Sequence, residues 1–239
     1  MKIGITECGE PSKDFSWINK MNDVDGAILI TKNIDSIKFQ ESIVPFYDKI
    51  IIHATITGMG GTDYEPNVSE SDITIKEFNK LSNIISKDRM VLRIDPIIPV
   101  SILEPFIEDI LNSVEEGVRL KFSFIDQYKH LKDRNVVLPW NSFNSPESEI
   151  IPFINLIKKY SNKFTSITTC AEKYSCIPNE WKIGCLSDED FKVLGLETPK
   201  YIKGSQRFNC LCFQNKIQLI NKRKRCANKC LYCYWKEDE

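Results

Sequence analysis

The chain has 239 residues, of which 42% are hydrophobic and 27% charged, and its formal net charge is −1. That composition suits one globular domain with a substantial core, and the near-neutral charge provides no general basic field for nucleic acid or an anionic membrane. The first residues look like an opening strand rather than a signal peptide, and no apolar run reaches the length of a membrane span. Nine cysteines without a secretion signal indicate metal or redox use, so a reducing cytoplasm is expected.

Short apolar segments alternate with longer amphipathic segments along the first three quarters of the chain. The short segments are rich in β-branched residues, and the longer ones carry apolar residues at helical spacing. Strands are predicted at 2–6, 27–31, 49–56, 90–94, 120–125 and 164–169. Helices are predicted at 36–46, 73–85, 102–116 and 147–159. The alternation predicts an α/β fold with a parallel sheet and right-handed crossovers, either a partial barrel or an open sheet.

After Gly184 this alternation stops and cysteines accumulate. We therefore interpret residues 1–183 as a β/α unit and residues 184–239 as a cysteine-rich tail. No repeat, low-complexity segment or clear linker separates the two parts, so the tail is expected to fold onto the β/α unit as one structural unit.

Polar residues follow several of the predicted strands. In parallel β/α folds, ligands bind at the carboxyl ends of the strands. Any one of these residues alone is typical of a turn or a helix cap. Their recurrence at one end of the sheet predicts a binding site there. The strand ends concerned are Thr31-Lys32-Asn33, Thr55-Ile56-Thr57-Gly58, Arg93-Ile94-Asp95-Pro96, Ser123-Phe124-Ile125-Asp126 and Thr168-Thr169-Cys170-Ala171-Glu172.

The tail contains a C-x3-C-x2-C triplet, Cys226, Cys230 and Cys233, with Tyr232 before its third cysteine. Three closely spaced thiolates can hold three irons of a [4Fe–4S] cluster and leave the fourth iron open. An open iron is a reaction site, and it favours an enzyme that binds S-adenosylmethionine and cleaves it by one electron. The alternatives are a structural zinc site, which would need a fourth ligand from upstream, and unliganded thiols.

The strand-end strings and the C-terminal cysteines together resemble a bacterial family of proteins of unknown function, the DUF1848 proteins. The resemblance covers nearly the whole chain. Two strings, Thr31-Lys32 and the segment from Arg93 to Pro99, are also similar to the spore photoproduct lyase branch of radical S-adenosylmethionine enzymes. The family strings are Thr31-Lys32-Asn33, Thr57-Gly58, Glu65-Pro66-Asn67-Val68, Arg93-Ile94-Asp95-Pro96-Ile97-Ile98 and Thr169-Cys170-Ala171-Glu172.

This resemblance implies a partial (β/α)6 TIM-like radical S-adenosylmethionine barrel. In ordinary members of that superfamily the cysteine triplet follows the first strand. Here it comes last, so the cluster loop would reach the top of a rearranged barrel from the C-terminal tail.

The resemblance also implies which residues bind S-adenosylmethionine. Tyr232 would bring its backbone near the adenine, and Lys32 would pair with the carboxylate as a point charge. Arg93 would lie near the ribose or the carboxylate. The residues implied in cofactor binding are Tyr232, Thr31, Lys32, Asn33, Arg93, Asp95 and Ser123.

Four cysteines outside the triplet form a second set. Cys210 and Cys212 make a C-x-C pair, and the family resemblance extends to Cys170 and Cys185. Four thiolates complete a second [4Fe–4S] cluster that exposes no iron, which would relay electrons or brace the tail. A closed zinc site and simply buried thiols remain open alternatives.

An enzyme of this kind would take electrons from a ferredoxin- or flavodoxin-type donor and remove hydrogen from a substrate that the sequence does not identify. The basic stretch 222–225 precedes the triplet and would suit a nucleic acid or nucleotide, or simply be a solvated turn. Two other classes of function stay open: a non-catalytic iron–sulfur electron carrier or redox sensor, and a zinc-stabilised nucleic-acid-binding module. The residues predicted to contact substrate are His53, Gln127, Tyr128 and Glu172.

Overall fold

Seven parallel strands form one curled sheet, a half-barrel, in the computed structural model, which describes residues 1–134, 136–170, 172–204, 210–221 and 226–233. The spatial order is β6-β5-β4-β3-β2-β1-β7, so strands consecutive in sequence are neighbours except for β7, which pairs with β1. The predicted α/β fold with a parallel sheet is confirmed. The strands are β1 (Ile3–Ile5), β2 (Gly26–Thr31), β3 (Ile50–Thr55), β4 (Met90–Ile97), β5 (Arg119–Phe124), β6 (Ile167–Thr169) and β7 (Lys216–Gln218).

Four of the six helices that the structure describes, the first three and the fifth, pack on one face of the sheet. The six helices are α1 (Ile37–Ile43), α2 (Ser71–Ile84), α3 (Glu104–Ser113), α4 (Lys129–Asp133), α5 (Glu147–Lys159) and α6 (Asp188–Val193). The helix predicted at 147–159 agrees with α5 at both ends, and the helix predicted at 36–46 ends early because a 3-10 helix, Val44–Lys49, begins with Pro45 near its start. Helices α4 and α6 were not predicted, since five and six residues are too few to show helical periodicity.

The two faces of the sheet have different partners, because successive side chains of a strand point to opposite faces. In β3, Ile50 and Ile52 pack in the core beneath the helices, whereas Ile51 packs with the tail. We call the face turned away from the helices the inner face. Its lower part is apolar, and it is filled by Leu186 and Phe191 of the tail.

The middle of the inner face is polar and buried. The strand register puts His53 level with Val91 and Arg119, and it pairs Arg93 of β4 with Lys121 of β5 one step further towards the carboxyl ends. Arg119 reaches the tail, where its guanidinium donates to Asp190 at 2.7 Å and to Glu189 at 3.0 Å. The inner face therefore carries several cations that the tail helps to bury.

The prediction of six strands was wrong by one. The seventh strand, β7, belongs to the tail and adds to the sheet beside β1, with Ile3 opposite Lys216 and Ile5 opposite Gln218. Its three residues include a single apolar side chain, Ile217, so no pattern in the sequence marks it as a strand. It forms because the edge of β1 offers unpaired backbone groups.

Another part of the tail packs on the inner face of the sheet. Leu194 and Phe213 join Leu186 and Phe191 against Ile3 and other strand residues in one apolar cluster. Among the described residues, no helix has both the length and the apolar character that crossing a bilayer requires.

Candidate metal and cofactor site

The loop that carries the cysteine triplet, residues 226–233, lies against the loop that follows β3. The backbone N–H of Leu231 donates to the Tyr64 carbonyl at 3.0 Å, and the Asn67 side-chain amide donates to the Ala227 carbonyl at 2.7 Å. The triplet, last in the sequence, is thus fixed above the carboxyl ends of the strands, where parallel β/α folds bind their ligands.

A buried glutamate, Glu10, joins the triplet loop to the ends of two strands. One carboxylate oxygen accepts from the Thr31 hydroxyl at 2.5 Å. The other accepts from the Lys32 backbone N–H at 2.9 Å and from the Asn228 side-chain amide at 3.3 Å. Glu10 follows β1, Thr31 ends β2, and Asn228 lies inside the triplet. Glu10 was not among the predicted site residues, although its position after a predicted strand was an available signal.

A second buried glutamate, Glu65, accepts three hydrogen bonds at one carboxylate oxygen. The donors are the Lys32 ammonium at 2.9 Å, the Thr57 hydroxyl at 2.7 Å and the phenol of Tyr232. The Lys32 nitrogen also lies 5.4 Å from the centre of the Tyr232 ring, within cation–π distance. Glu65 was noticed in the sequence only as part of a family string, not as a site residue, yet it connects two residues predicted to bind the cofactor.

The charges of this network shift the pKa values of both its cation and its phenol. Burial alone would lower the pKa of Lys32, but the charges of Glu65 and of a Cys230 thiolate raise it overall. Burial raises the pKa of Tyr232 well above its usual value, and Glu65 raises it further. At neutral pH the pair is therefore an ammonium and a neutral phenol, both directed at one carboxylate.

The three triplet thiols differ in exposure and are not packed tightly together. Cys230 is buried, while Cys226 and Cys233 are half-buried. Within the part of the chain that the structure describes, their sulfurs do not form a group in which all lie within 4.8 Å of one another. Burial raises the pKa of Cys230 to about 12, with Lys32 acting in the opposite direction, and burial also raises the pKa of Cys226. A bound metal would be needed to keep Cys226 and Cys230 as thiolates at neutral pH.

An ion pair lies at the ends of β4 and β5. Asp95 accepts from the Arg93 guanidinium and, at 2.5 Å, from the Ser123 hydroxyl. Burial alone would raise the pKa of Asp95, but the Arg93 charge, the Ser123 hydrogen bond and the Lys32 charge hold it below its usual value. The charges of Asp95, Cys185 and Cys170 in turn raise the pKa of Arg93. The pair therefore stands between the triplet region and the second set of cysteines.

The second set comes together in space: three of its sulfurs, those of Cys170, Cys210 and Cys212, form a group that could hold a metal, and Cys185 packs against them. We call the second set the four-cysteine group. The sulfurs of Cys170, Cys210 and Cys212 all lie within 4.8 Å of one another. The Cys185 backbone N–H donates to the Cys212 sulfur at 3.0 Å, and the Cys212 N–H donates to the Cys210 sulfur at 3.4 Å. Hydrogen bonds from the other thiols lower the pKa of Cys212.

Three cations lie near the four-cysteine group. Lys121 is almost fully buried and donates to the Gly184 carbonyl at 3.1 Å. Lys216 pairs with Glu7 at 2.8 Å, and the charges of Cys212 and Cys185 help raise its pKa. Arg93 is the third, and its charge, like that of Lys121, favours the thiolate form of Cys185.

The remaining predicted site residues have local partners. Asn33 accepts from the Ser12 hydroxyl at 3.2 Å, which fixes the turn after β2. Glu172 accepts from the Phe124 backbone N–H at 2.7 Å, at the end of β5. The Gln127 side-chain amide lies against the carbonyl oxygens of Ser142 and Trp140, at 2.9 Å and 3.2 Å.

Two aromatic residues predicted to contact substrate lie in different surroundings. Tyr128 is half-buried, stacks on His130 with ring centres 5.6 Å apart, and meets Phe143 edge to face. His53 is completely buried, and neither ring nitrogen has a hydrogen-bond partner among the described residues. Burial, followed by the charges of Lys121 and Arg93, lowers its pKa well below the usual value, so the ring is neutral. The predicted basic stretch at 222–225 lies outside the described residues.

A family model with the description "Domain of unknown function (DUF1848)" matches residues 7–235, so the chain belongs to that family. The resemblance to the DUF1848 family seen in the sequence is thereby confirmed. No curated protein and no solved structure matches the chain.

Proposed function

We propose that this member of the DUF1848 family is a radical S-adenosylmethionine enzyme with a [4Fe–4S] cluster on Cys226, Cys230 and Cys233. One observation carries the proposal: the triplet loop, last in the sequence, docks through Glu10 and Glu65 onto the strand ends that include Thr31 and Lys32. When bound, these cofactors supply reductive cleavage of S-adenosylmethionine to methionine and a 5′-deoxyadenosyl radical, which takes a hydrogen atom from a substrate.

The order of the strands supports a rearranged barrel of this type. β7 precedes the triplet in sequence and lies at the edge of the sheet, parallel to β1. The triplet loop therefore follows an edge strand of the sheet. In ordinary members of the superfamily the triplet follows the first strand, so it too comes after a strand at the edge. A cluster motif at the end of the chain is compatible with the same arrangement of strand, loop and neighbouring strand ends.

The donor set of the triplet suits a cluster better than a single ion. A tetrahedral zinc ion holds its thiolates about 2.3 Å from the metal, and hence roughly 3.8 Å from one another. The sulfurs of Cys226, Cys230 and Cys233 are not drawn together within 4.8 Å. A four-iron cluster binds each thiolate through a different iron, so it accommodates a wider spread.

The charges beside the triplet suit the methionyl end of S-adenosylmethionine, which carries an ammonium, a carboxylate and a sulfonium. Glu10 and Glu65 offer buried carboxylates to positive groups, and Lys32 offers an ammonium to a negative one. In the unliganded network Lys32 and Glu65 neutralise each other. A zwitterionic ligand would exchange this internal ion pair for two matched pairs at little electrostatic cost. Arg93 and Asp95 offer a second such pair further along the strand ends.

The substrate would lie above the inner face, whose polar middle contains His53 with two unpaired ring nitrogens among the described residues. Tyr128 is half-buried beside the triplet loop, in the same cluster as Leu231 and Cys233. Gln127 and Glu172 are engaged with backbone groups, so they would act by holding the loops around the substrate. The substrate class stays open, with nucleic acid or nucleotide among the candidates, and the electron donor is proposed to be of the ferredoxin or flavodoxin type.

The test is reductive cleavage of S-adenosylmethionine. The protein is purified without oxygen, reconstituted with iron and sulfide, and given S-adenosylmethionine and dithionite, and 5′-deoxyadenosine is measured by liquid chromatography. We expect product from the natural chain and none from a Cys226→Ala/Cys230→Ala/Cys233→Ala variant. A Cys8→Ala/Cys176→Ala variant is the matched control, because it removes two cysteines outside both groups and should retain activity.

Three results would contradict the proposal. An iron–sulfur protein that never yields 5′-deoxyadenosine would indicate an electron carrier or redox sensor. A colourless protein that holds zinc at the triplet would favour a nucleic-acid-binding module, whose binding to DNA or RNA would fall steeply with salt. Equal activity in the triplet variant and the control would show that the triplet cysteines are not needed for cleavage of S-adenosylmethionine.

A further inference from the structure

We propose that Cys170, Cys185, Cys210 and Cys212 bind a single zinc ion in a closed tetrahedral site that fastens the tail to the sheet. The inference does not rest on the proposed function, because it concerns a separate set of ligands. The sequence favoured a second [4Fe–4S] cluster for this set and left zinc open. The geometry points to zinc.

Three of the four sulfurs are close enough together to be ligands of a single ion. Those of Cys170, Cys210 and Cys212 all lie within 4.8 Å of one another. Thiolates about 2.3 Å from one tetrahedral ion are roughly 3.8 Å apart, so a single ion fits this group with small adjustments. A four-iron cluster would have to push the same sulfurs apart, because each binds a different iron.

The backbone around the sulfurs is held in place by close contacts. Gly184 packs so closely on the Cys210–Cys212 turn that a Cβ atom there would lie 2.5 Å from the backbone nitrogen of Cys212. Gly204 donates to the Cys212 carbonyl at 2.7 Å from the other side. These contacts fix the backbone of the Cys210–Cys212 turn, so only rotation of the side chains could enlarge the group. The N–H groups that donate to the sulfurs of Cys210 and Cys212 are the kind of outer contacts that orient metal ligands.

The cations near the four-cysteine group are compatible with an anionic zinc site. Four thiolates and one Zn²⁺ carry a net charge of about −2. Lys121 and Arg93 lie on the inner face beside Cys185, and Lys216 lies beside Cys212. Arg93 is paired with Asp95 and Lys216 with Glu7, so the three cations offset only part of the charge of the zinc site. Cys185, Cys210 and Cys212 are buried and Cys170 is half-buried, and four protein thiolates would fill every position of a tetrahedral ion, as in a structural zinc site.

The location explains what the site would do. Cys170 follows β6 of the sheet, whereas Cys185, Cys210 and Cys212 all belong to the tail. A single zinc ion bound by all four cysteines would therefore link β6, at one edge of the sheet, to two segments of the tail. The same tail segments pack Leu186 and Phe213 onto the inner face. Because zinc has no redox chemistry, the site would not take part in electron transfer.

The test is metal content in variants that separate the two cysteine groups. The Cys226→Ala/Cys230→Ala/Cys233→Ala protein, purified from cells without added metal, is analysed by inductively coupled plasma mass spectrometry. We expect about one zinc per chain and almost no iron. A Cys210→Ser/Cys212→Ser protein should lose that zinc, and a Cys8→Ser/Cys176→Ser control should keep it.

A second measurement avoids variants that fail to fold. The natural chain is purified from cells grown with Co²⁺ and examined by visible absorption. Cobalt bound by four thiolates in a tetrahedron gives intense bands in the visible range, whereas octahedral cobalt is nearly colourless. Iron and sulfide in the triplet-free variant, retained zinc in the Cys210→Ser/Cys212→Ser protein, or cobalt without tetrahedral bands would each overturn the inference. None of these readouts depends on cleavage of S-adenosylmethionine.

Discussion

The two cysteine sites of this protein use the same ligand atom in opposite structural settings. The triplet loop lies at the carboxyl ends of the strands, where it is held by carboxylates, side-chain amides and single backbone contacts. The four-cysteine group lies between β6 and the tail, enclosed by the backbone of Gly184 and Gly204. The first arrangement lies at the strand ends among polar side chains, and the second is largely buried under backbone.

This contrast teaches that the surroundings, rather than the cysteines, decide what such a site can do. Beside the triplet, Glu10, Glu65 and Lys32 provide both signs of charge, which is useful for a ligand with an ammonium and a carboxylate. Beside the four-cysteine group, Lys121 and two ion-paired cations, Arg93 and Lys216, provide positive charge. Positive charge helps to offset a set of thiolates, whereas carboxylates together with an ammonium suit a zwitterionic ligand.

The largest expected effect comes from the ion pair that holds the tail beside the four-cysteine group. Asp190→Asn leaves the buried Arg119 guanidinium with Glu189 alone, and it weakens the cap that Asp190 gives to Ser187. Breaking one side of a buried pair costs about 3–5 kcal/mol. Urea unfolding followed by circular dichroism should show a loss of that size.

The matched control for this variant is Lys80→Gln. Lys80 pairs with Glu77 on the exposed face of α2 at 3.1 Å. Exposed pairs contribute little, so the unfolding free energy should hardly change. Equal losses in the two variants would mean that the tail is not held by the buried pair.

A smaller effect is expected on the triplet side. Tyr232→Phe removes one of the three donors to Glu65 and leaves the Lys32 ammonium in place. The loss of one buried hydrogen bond to a charged group should cost about 1–2 kcal/mol, measured by the same unfolding experiment.

The control is Tyr160→Phe, which also removes a phenol that donates to a glutamate. Tyr160 donates to Glu108 at 3.0 Å on the outer helices, where water can replace it. If Tyr160→Phe lowered the free energy of unfolding as much as Tyr232→Phe does, burial of Glu65 would add nothing to the docking of the triplet loop.

The smallest effect concerns pH and the ion pair between the two sites. The pKa of Asp95 is held below its usual value, so ionised Asp95 contributes stability that is present above pH 4 and lost as the pH falls through its pKa in the folded protein. The difference in unfolding free energy between the natural chain and Asp95→Asn should therefore be greatest near neutral pH and shrink below about pH 4.

Unfolding in urea at several pH values from 3 to 7 measures this difference. Asp88→Asn, an exposed aspartate in a 3-10 turn, is the control and should follow the natural chain at every pH. A constant difference for Asp95→Asn across the range would mean that the aspartate is not ionised preferentially in the folded state.

Much of the fold was predictable because its signals are local. β3, Ile50–Thr55, is a run of β-branched and apolar residues buried on both faces, and α5 keeps apolar residues at helical spacing over its whole length. β7 was not predictable, because its residues carry no such signal and its only reason to be a strand is the free edge of β1.

The candidate site was predictable in part for a related reason. Lys32 follows β2 and Arg93 lies within β4, and the carboxyl ends of parallel strands meet at one edge of the sheet. The carboxylates that organise them, Glu10 and Glu65, lie in loops without a pattern, and their partners are distant in sequence. The sequence could not reveal that Lys32 is already paired with a glutamate.

The sequence alone determined the alternation of strands and helices, the spacing of the triplet and membership in the DUF1848 family, because each depends on residues that are close together or in a fixed order. Only the tertiary structure decided which cysteines meet. Cys170 and Cys212 become neighbours because the tail crosses the inner face, and the triplet reaches the strand ends because β7 pairs with β1. Such contacts follow from the packing of apolar faces over the whole chain, which no short stretch of sequence encodes.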